Sequence, residues 1–204
     1  MRRLFLIGSV TVLVLASSPA LPAEELVTCF GETPDVMGDG GDNVLMGTAG
    51  PDVIWGGGGN DTIHGLGGDD IICGGLGSDV IEGGSGHDLI LGGPGADTII
   101  GGFGMDALSG LQGSDELLGG GGRDVLIGNK GNDTLRGRSG GDHIEGSLGP
   151  ADVAIGGNNR DWCTAETETS CEGPHGPFRL KANGIGQIPF GTPTDFALVE
   201  LALM

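Results

Sequence analysis

Gly74-Gly-Leu-Gly-Ser-Asp-Val-Ile-Glu82, Gly83-Gly-Ser-Gly-His-Asp-Leu-Ile-Leu91 and Gly92-Gly-Pro-Gly-Ala-Asp-Thr-Ile-Ile100 are three consecutive versions of one nine-residue phrase. Working outward, its aspartate returns without a slip at Asp52, Asp61, Asp70, Asp79, Asp88, Asp97, Asp106, Asp115, Asp124, Asp133 and Asp142. Units with every signature glycine begin at Gly56, Gly74, Gly83, Gly92, Gly101 and Gly119. Those beginning at Gly65, Gly110, Gly128 and Gly137 lose only the second glycine, to Leu66, Leu111, Asn129 and Arg138. Weaker units occupy 37–45, 46–55, 146–155 and 156–164, and one extra residue separates Asp42 from Asp52 and Asp142 from Asp152. A fixed period means one structural unit repeated, and loosening at both ends is what capping repeats show.

Each unit divides into a turn and a strand. Gly-Gly-x-Gly-x supplies residues able to take positive φ, and the tripeptide that follows is β-favouring. The middle residue of that tripeptide is aliphatic: Val44, Ile54, Ile63, Ile72, Ile81, Ile90, Ile99, Leu108, Leu117, Leu126, Leu135 and Ile144. Alternation across a strand sends this residue inward and its neighbours outward. Two units make one coil, so about 14 units predict a rod of about 7 coils. Its two parallel sheets would face each other across a thin aliphatic core, over roughly 30–35 Å at the strand spacing.

The composition asks for something besides that core. The chain has 204 residues, 46 of them glycine, no tyrosine, and a net charge of -19. The acidic balance argues against nucleic acid or anionic membrane as partners and favours cations. One buried Ile or Leu contributes roughly 2–3 kcal/mol, whereas ordering nine residues costs on the order of 10 kcal/mol. Stacking also lines the aspartates up in like-charged columns, Asp52, Asp70, Asp88, Asp106, Asp124 and Asp142 on one edge and Asp61, Asp79, Asp97, Asp115 and Asp133 on the other. Several Ca²⁺ ions, each taking six to eight oxygens from carboxylates and turn carbonyls, would relieve both problems, so metal binding and folding are expected to be one event.

These residues resemble the repeats-in-toxin (RTX) family, over about 37–164. The resemblance implies an all-β parallel β-roll, a right-handed β-helix-like solenoid of about 14 nonapeptide units with calcium in its turns. It implies no toxin, because function resides in sites and not in folds. The chain is similar to small exported bacterial proteins made of little besides such repeats.

Around the array, Arg2-Arg3, an apolar run from Leu4 to Ala16 and small residues up to Ala23 read as a secretory signal peptide at 1–23, cleaved after Ala20 or Ala23. The run is short for a span, which needs about 20 residues. Residues 24–36 are expected to form an N-terminal cap, 165–172 a C-terminal cap, and 173–204, with Pro174, Pro177, Pro189, Pro193 and an apolar end, a flexible tail. A docking or export signal is the alternative for that tail. Four cysteines in an exported chain predict two disulfides. Cys73 and Cys163 would stand about five coils, roughly 24 Å, apart, which exceeds the reach of about 7 Å. That leaves Cys29 with Cys73 and Cys163 with Cys171, each pinning an end of the rod; free thiols or zinc are the alternatives, and no Cys-x-x-Cys supports zinc. His64, His87, His143 and His175 fall at different phases and read as solvated, while Trp55 and Trp162 are expected to cover the core ends.

Neither 24–36 nor 165–204 is long enough to bury a catalytic core, and no His-Glu-x-x-His or Gly-x-Ser-x-Gly occurs. The reading is therefore a non-enzymatic, secreted calcium-binding repeat protein, with no nucleic-acid partner and no stable membrane insertion. The alternative is a calcium-stiffened rod used for surface adhesion, matrix or self-assembly, with a cell-surface or matrix partner. No threonine row of the kind that would suit ice is present.

Overall fold

The computed structural model describes residues 28–171, together with the backbone of 6–7 and 10–11. Strands β1 (Leu6–Ile7) and β2 (Val10–Thr11) pair antiparallel. The rest of the expected signal peptide and the segment 173–204 lie outside the described residues.

From β3 onward successive strands alternate between two eight-stranded parallel sheets. One holds β3 (Val36–Met37), β5 (Val53–Gly58), β7 (Ile71–Leu76), β9 (Leu89–Pro94), β11 (Ala107–Gln112), β13 (Val125–Lys130), β15 (His143–Leu148) and β17 (Trp162–Thr164). The other holds β4 (Val44–Met46), β6 (Thr62–Gly67), β8 (Val80–Ser85), β10 (Thr98–Phe103), β12 (Glu116–Gly121), β14 (Thr134–Ser139), β16 (Val153–Asn158) and β18 (Thr167–Thr169). This is the expected solenoid of about seven coils. Among the described residues no helix is long and apolar enough to cross a membrane.

The core is one residue deep from each sheet. Ile54, Ile72, Ile90, Leu108, Leu126 and Ile144 face Ile63, Ile81, Ile99, Leu117, Leu135 and Ala154, all buried. Val44 does not belong to this row. It is 74% exposed, and Leu45 stands in register with Ile63. The extra residue between Asp42 and Asp52 enters before the strand, so Asn43 takes the aspartate position and the alternation shifts by one.

Most strands are also longer than the expected tripeptide. The ladder pairs Glu82 with Ile100, then resumes with Gly84 against Gly102, so the glycine segment continues the sheet. The second glycine of each unit permits this by turning to positive φ, +116° at Gly84 and +119° at Gly102. Where that glycine is replaced the backbone keeps the same conformation: φ is +79° at Leu66 and +78° at Arg138. The left-handed region costs an L-residue roughly 1–2 kcal/mol, and glycine's extra unfolded-state freedom returns about 0.5–1 kcal/mol. Leu66→Gly and Arg138→Gly should therefore each stabilise the rod by about 0.5–1 kcal/mol in denaturant titration. Leu76→Gly, where φ is not positive, should give no gain; equal effects at all three positions would refute the account.

The two outer faces differ. On the sheet containing β5, the outward rows carry half-buried Val53, Ile71, Leu89 and Val125 beside Trp55 and Leu91, with Ile127 almost fully buried. On the opposite sheet the rows are mixed, with His64 Nδ1 3.1 Å from Glu82 Oε2 and Arg136 Nη1 3.4 Å from Glu116 Oε1. Both tryptophans sit on outward rows of the first sheet, Trp55 opposite Met37 and Cys73, Trp162 opposite His143, instead of covering the core ends. Each neighbours an inward residue (Ile54, Cys163), and alternation aims it out.

Two disulfides close the ends differently. Cys29–Cys73 joins a fully buried Cys29 to an outward residue of β7, since Cys73 follows the inward Ile72. The segment around Cys29 is thus strapped along the outer face, and it is Val36 that packs at the core end. Cys163 continues the inward row below Ile144, and its bond to Cys171 closes that end of the core.

Candidate metal centre

The 18-residue coil brings each aspartate over the one before it. On one edge the backbone N–H of Asp52 donates to Asp70 Oδ1 at 2.9 Å, and Asp70, Asp88, Asp106 and Asp124 repeat the contact to the next aspartate at 3.0 Å. On the other edge Asp61 and Asp79 donate to Asp79 and Asp97 at 2.8 Å, and Asp97 and Asp115 to Asp115 and Asp133 at 2.9 Å. One carboxylate oxygen in every turn is therefore committed to the fold.

The second oxygen is not. Oδ2 of Asp61, Asp70, Asp79, Asp88, Asp97, Asp106, Asp115, Asp124, Asp133, Asp142 and Asp152 is buried and makes no hydrogen bond. Such a row is costly unless a cation or a proton arrives. Burial accordingly pushes Asp97 and Asp124 up to about 7, against the N–H that each accepts and with help from the neighbouring aspartates. Burial likewise raises Asp70, Asp88, Asp115 and Asp142 to about 6, and Asp79, Asp106 and Asp133 rise for the same first reason.

Glycine makes room beside each free oxygen. A Cβ on Gly74 would run into Asp79 Oδ2 and lie 2.7 Å from the Gly92 carbonyl of the next coil. On Gly83 it would meet Asp88 Oδ2 and, at 2.8 Å, the Gly101 carbonyl. A carboxylate oxygen from one coil and a carbonyl from the next thus face a common point. Among the described residues no three His, Cys, Asp or Glu side chains converge, so any cation would be held by at most two carboxylates together with backbone oxygens. That all-oxygen set fits a hard, flexible-geometry cation such as Ca²⁺, which would also neutralise the buried Oδ2 atoms.

The sequence-derived residues are not all equivalent. Asp52 Oδ2 accepts from Thr48 N–H at 2.6 Å and Thr48 Oγ1 at 3.0 Å, so this oxygen is occupied within its own loose unit. Two aspartates were missed: Asp152 and Asp161 extend the columns, accepting from Asp133 at 2.9 Å and Asp142 at 3.0 Å. The signal was present, since Asp152 and Asp161 are nine apart beyond the ten-residue step. Among the described residues the histidines do not converge, though three are more than solvated; His175 lies outside the described residues. His64 pairs with Glu82, and His87 Nδ1 accepts the Met105 N–H at 2.8 Å. His143 is half-buried, and burial holds it below its ordinary value.

The family model of the RTX calcium-binding nonapeptide repeat, four copies per match, covers residues 37–72, 73–108 and 109–144. No curated protein matches the chain.

Proposed function

Because the chain belongs to the RTX calcium-binding nonapeptide repeat family, we propose that it is an extracellular, non-enzymatic protein that folds by loading several Ca²⁺ ions between its glycine-rich turns. The observation that carries this is the row of buried aspartate Oδ2 atoms without a hydrogen bond, each beside a glycine cradle. Asp61, Asp70, Asp79, Asp88, Asp97, Asp106, Asp115, Asp124, Asp133 and Asp142 supply the carboxylates, joined by Asp152. Export is supported by the leader-like sequence of 1–23 and by two disulfides, which persist in oxidising compartments. Affinities in the extracellular range of about 10⁻⁴–10⁻³ M would leave the chain unloaded in a calcium-poor cytoplasm.

Calcium titration of the chain lacking 1–23, followed by far-ultraviolet circular dichroism, tests this. A cooperative coil-to-β transition with calcium and none with equimolar magnesium is expected. The same spectrum in chelator and in millimolar calcium would end the proposal.

A second reading, a calcium-stiffened rod for adhesion or self-assembly, is favoured by the apolar outer face around Trp55, Leu91 and Ile127. Concentration-dependent sedimentation in calcium, abolished by Leu91→Lys, would support it.

A further inference from the structure

Building on the calcium reading above, we propose that Glu166 and Asp152 form a terminal calcium site that closes one carboxylate column at the C-terminal end of the rod. The segment from Glu166 to Cys171 is a coil in disguise. Val153, Ala154 and Ile155 of β16 stand in register with Thr167, Glu168 and Thr169 of β18. One step further at each end, Glu166 falls opposite Asp152 and Ser170 opposite Gly156.

Both positions act as their counterparts do elsewhere. The Asp152 N–H donates to Glu166 Oε2 at 3.0 Å, the contact that Asp133 makes to Asp152 itself at 2.9 Å. A Cβ on Gly156 would lie 2.6 Å from the Ser170 carbonyl, whereas one on Gly137 would lie 2.7 Å from the Gly156 carbonyl.

The stand-in coil spans 14 residues from Asp152 to Glu166, against 18 in the regular coils. Among the described residues no aspartate follows Asp152 in its own column, so without Glu166 that column would end on an open N–H.

An acceptor for that N–H could have been neutral, as the Asn43 side-chain oxygen is for the Asp39 N–H beyond the opposite end of this column. A carboxylate has a further consequence. Asp152 is fully buried (0% exposed) and its Oδ2 makes no hydrogen bond. Two neighbouring carboxylates, one with a buried unsatisfied oxygen, match the donor chemistry of the turns before them and call for the same ion.

Native mass spectrometry of the chain lacking 1–23, in saturating calcium, counts the ions directly. Glu166→Gln keeps an acceptor for Asp152 N–H but removes the charge; it should bind one ion fewer than wild type. Glu168→Gln, exposed on β18, should bind the wild-type number. A folded Glu166→Gln chain with an undiminished count overturns the proposal. If Glu166→Gln fails to fold, Glu166→Asp decides: a carboxylate role requires it to fold in calcium with the full count, and collapse of both variants makes the position one of packing. A wild-type chain that binds no calcium defeats the broader reading instead, so the two failures are distinguishable.

Discussion

In excess chelator the chain should show no β signal at pH 8 and gain it as the pH falls from 7 toward 4. The buried aspartates have folded-state values raised to about 6 (Asp70, Asp88, Asp115, Asp142) and about 7 (Asp97, Asp124) from an ordinary 3.8. A raised value means that the folded state binds more protons, so this contribution is fully present below about 4 and lost as pH rises through 6 and 7. A proton on Oδ2 removes the charge that burial penalises, which is half of what calcium does. Saturating calcium should flatten this dependence at neutral pH, while the calcium midpoint rises on acidification because protons and metal compete for one oxygen. Circular dichroism across pH 4–8, with and without metal, reads both. A metal-free chain folded at pH 8 would contradict the charged columns, and one still unfolded at pH 4.5 would show that neutralisation alone does not suffice.

Gly92→Ala should weaken the rod and empty its neighbouring cation position together. The new Cβ would sit against the Asp97 carboxylate, 3.0 Å from its Cγ and closer still to Oδ2. Overpacking of this kind costs about 1–3 kcal/mol. Displacing an ion held at 100 times its dissociation constant costs about 2.7 kcal/mol more. The combined loss of about 4–6 kcal/mol is a large share of a small domain's stability. Gly67→Ala is the control, because its Cβ would meet the Ser85 carbonyl at an ordinary 3.6 Å. Ion count and calcium midpoint should be near wild type there and sharply changed at Gly92. Equal behaviour of the two variants would mean that the glycines serve the turn alone and not the cation.

The period made the inward row and the two columns legible, because residues equivalent under an 18-residue translation must share an environment. It could not place an insertion. Asp42 and Asn43 are both short side-chain acceptors, and only the strand register shows that Asn43 faces Asp61 and Leu45 faces Ile63. Nor could it trace the aperiodic strap that meets the outward Cys73. Its pairing with Cys29 followed from distance along the rod, yet its neighbour Ile72 points inward and so turns the strap onto the outer face. Glu166 was hidden for a third reason. It imitates an aspartate after a shorter coil and ahead of a segment, 166–171, that has no glycine, so geometry preserves what composition conceals.

The Cys29–Cys73 strap has a mechanical meaning as well. Tension applied at the N-terminal end enters the fold at Cys29 and passes through the sulfur bridge directly into β7. The 44-residue interval between the two cysteines is bypassed. An extended chain of that length measures about 150 Å, and none of it can be drawn out while the bridge holds. Peeling would have to begin at the third strand of the sheet, where neighbours on both sides resist together, instead of at the two-residue edge strand β3. Oxidation converts the frayed beginning of the rod into a fixed grip, and a reducing environment would return it to a loose thread.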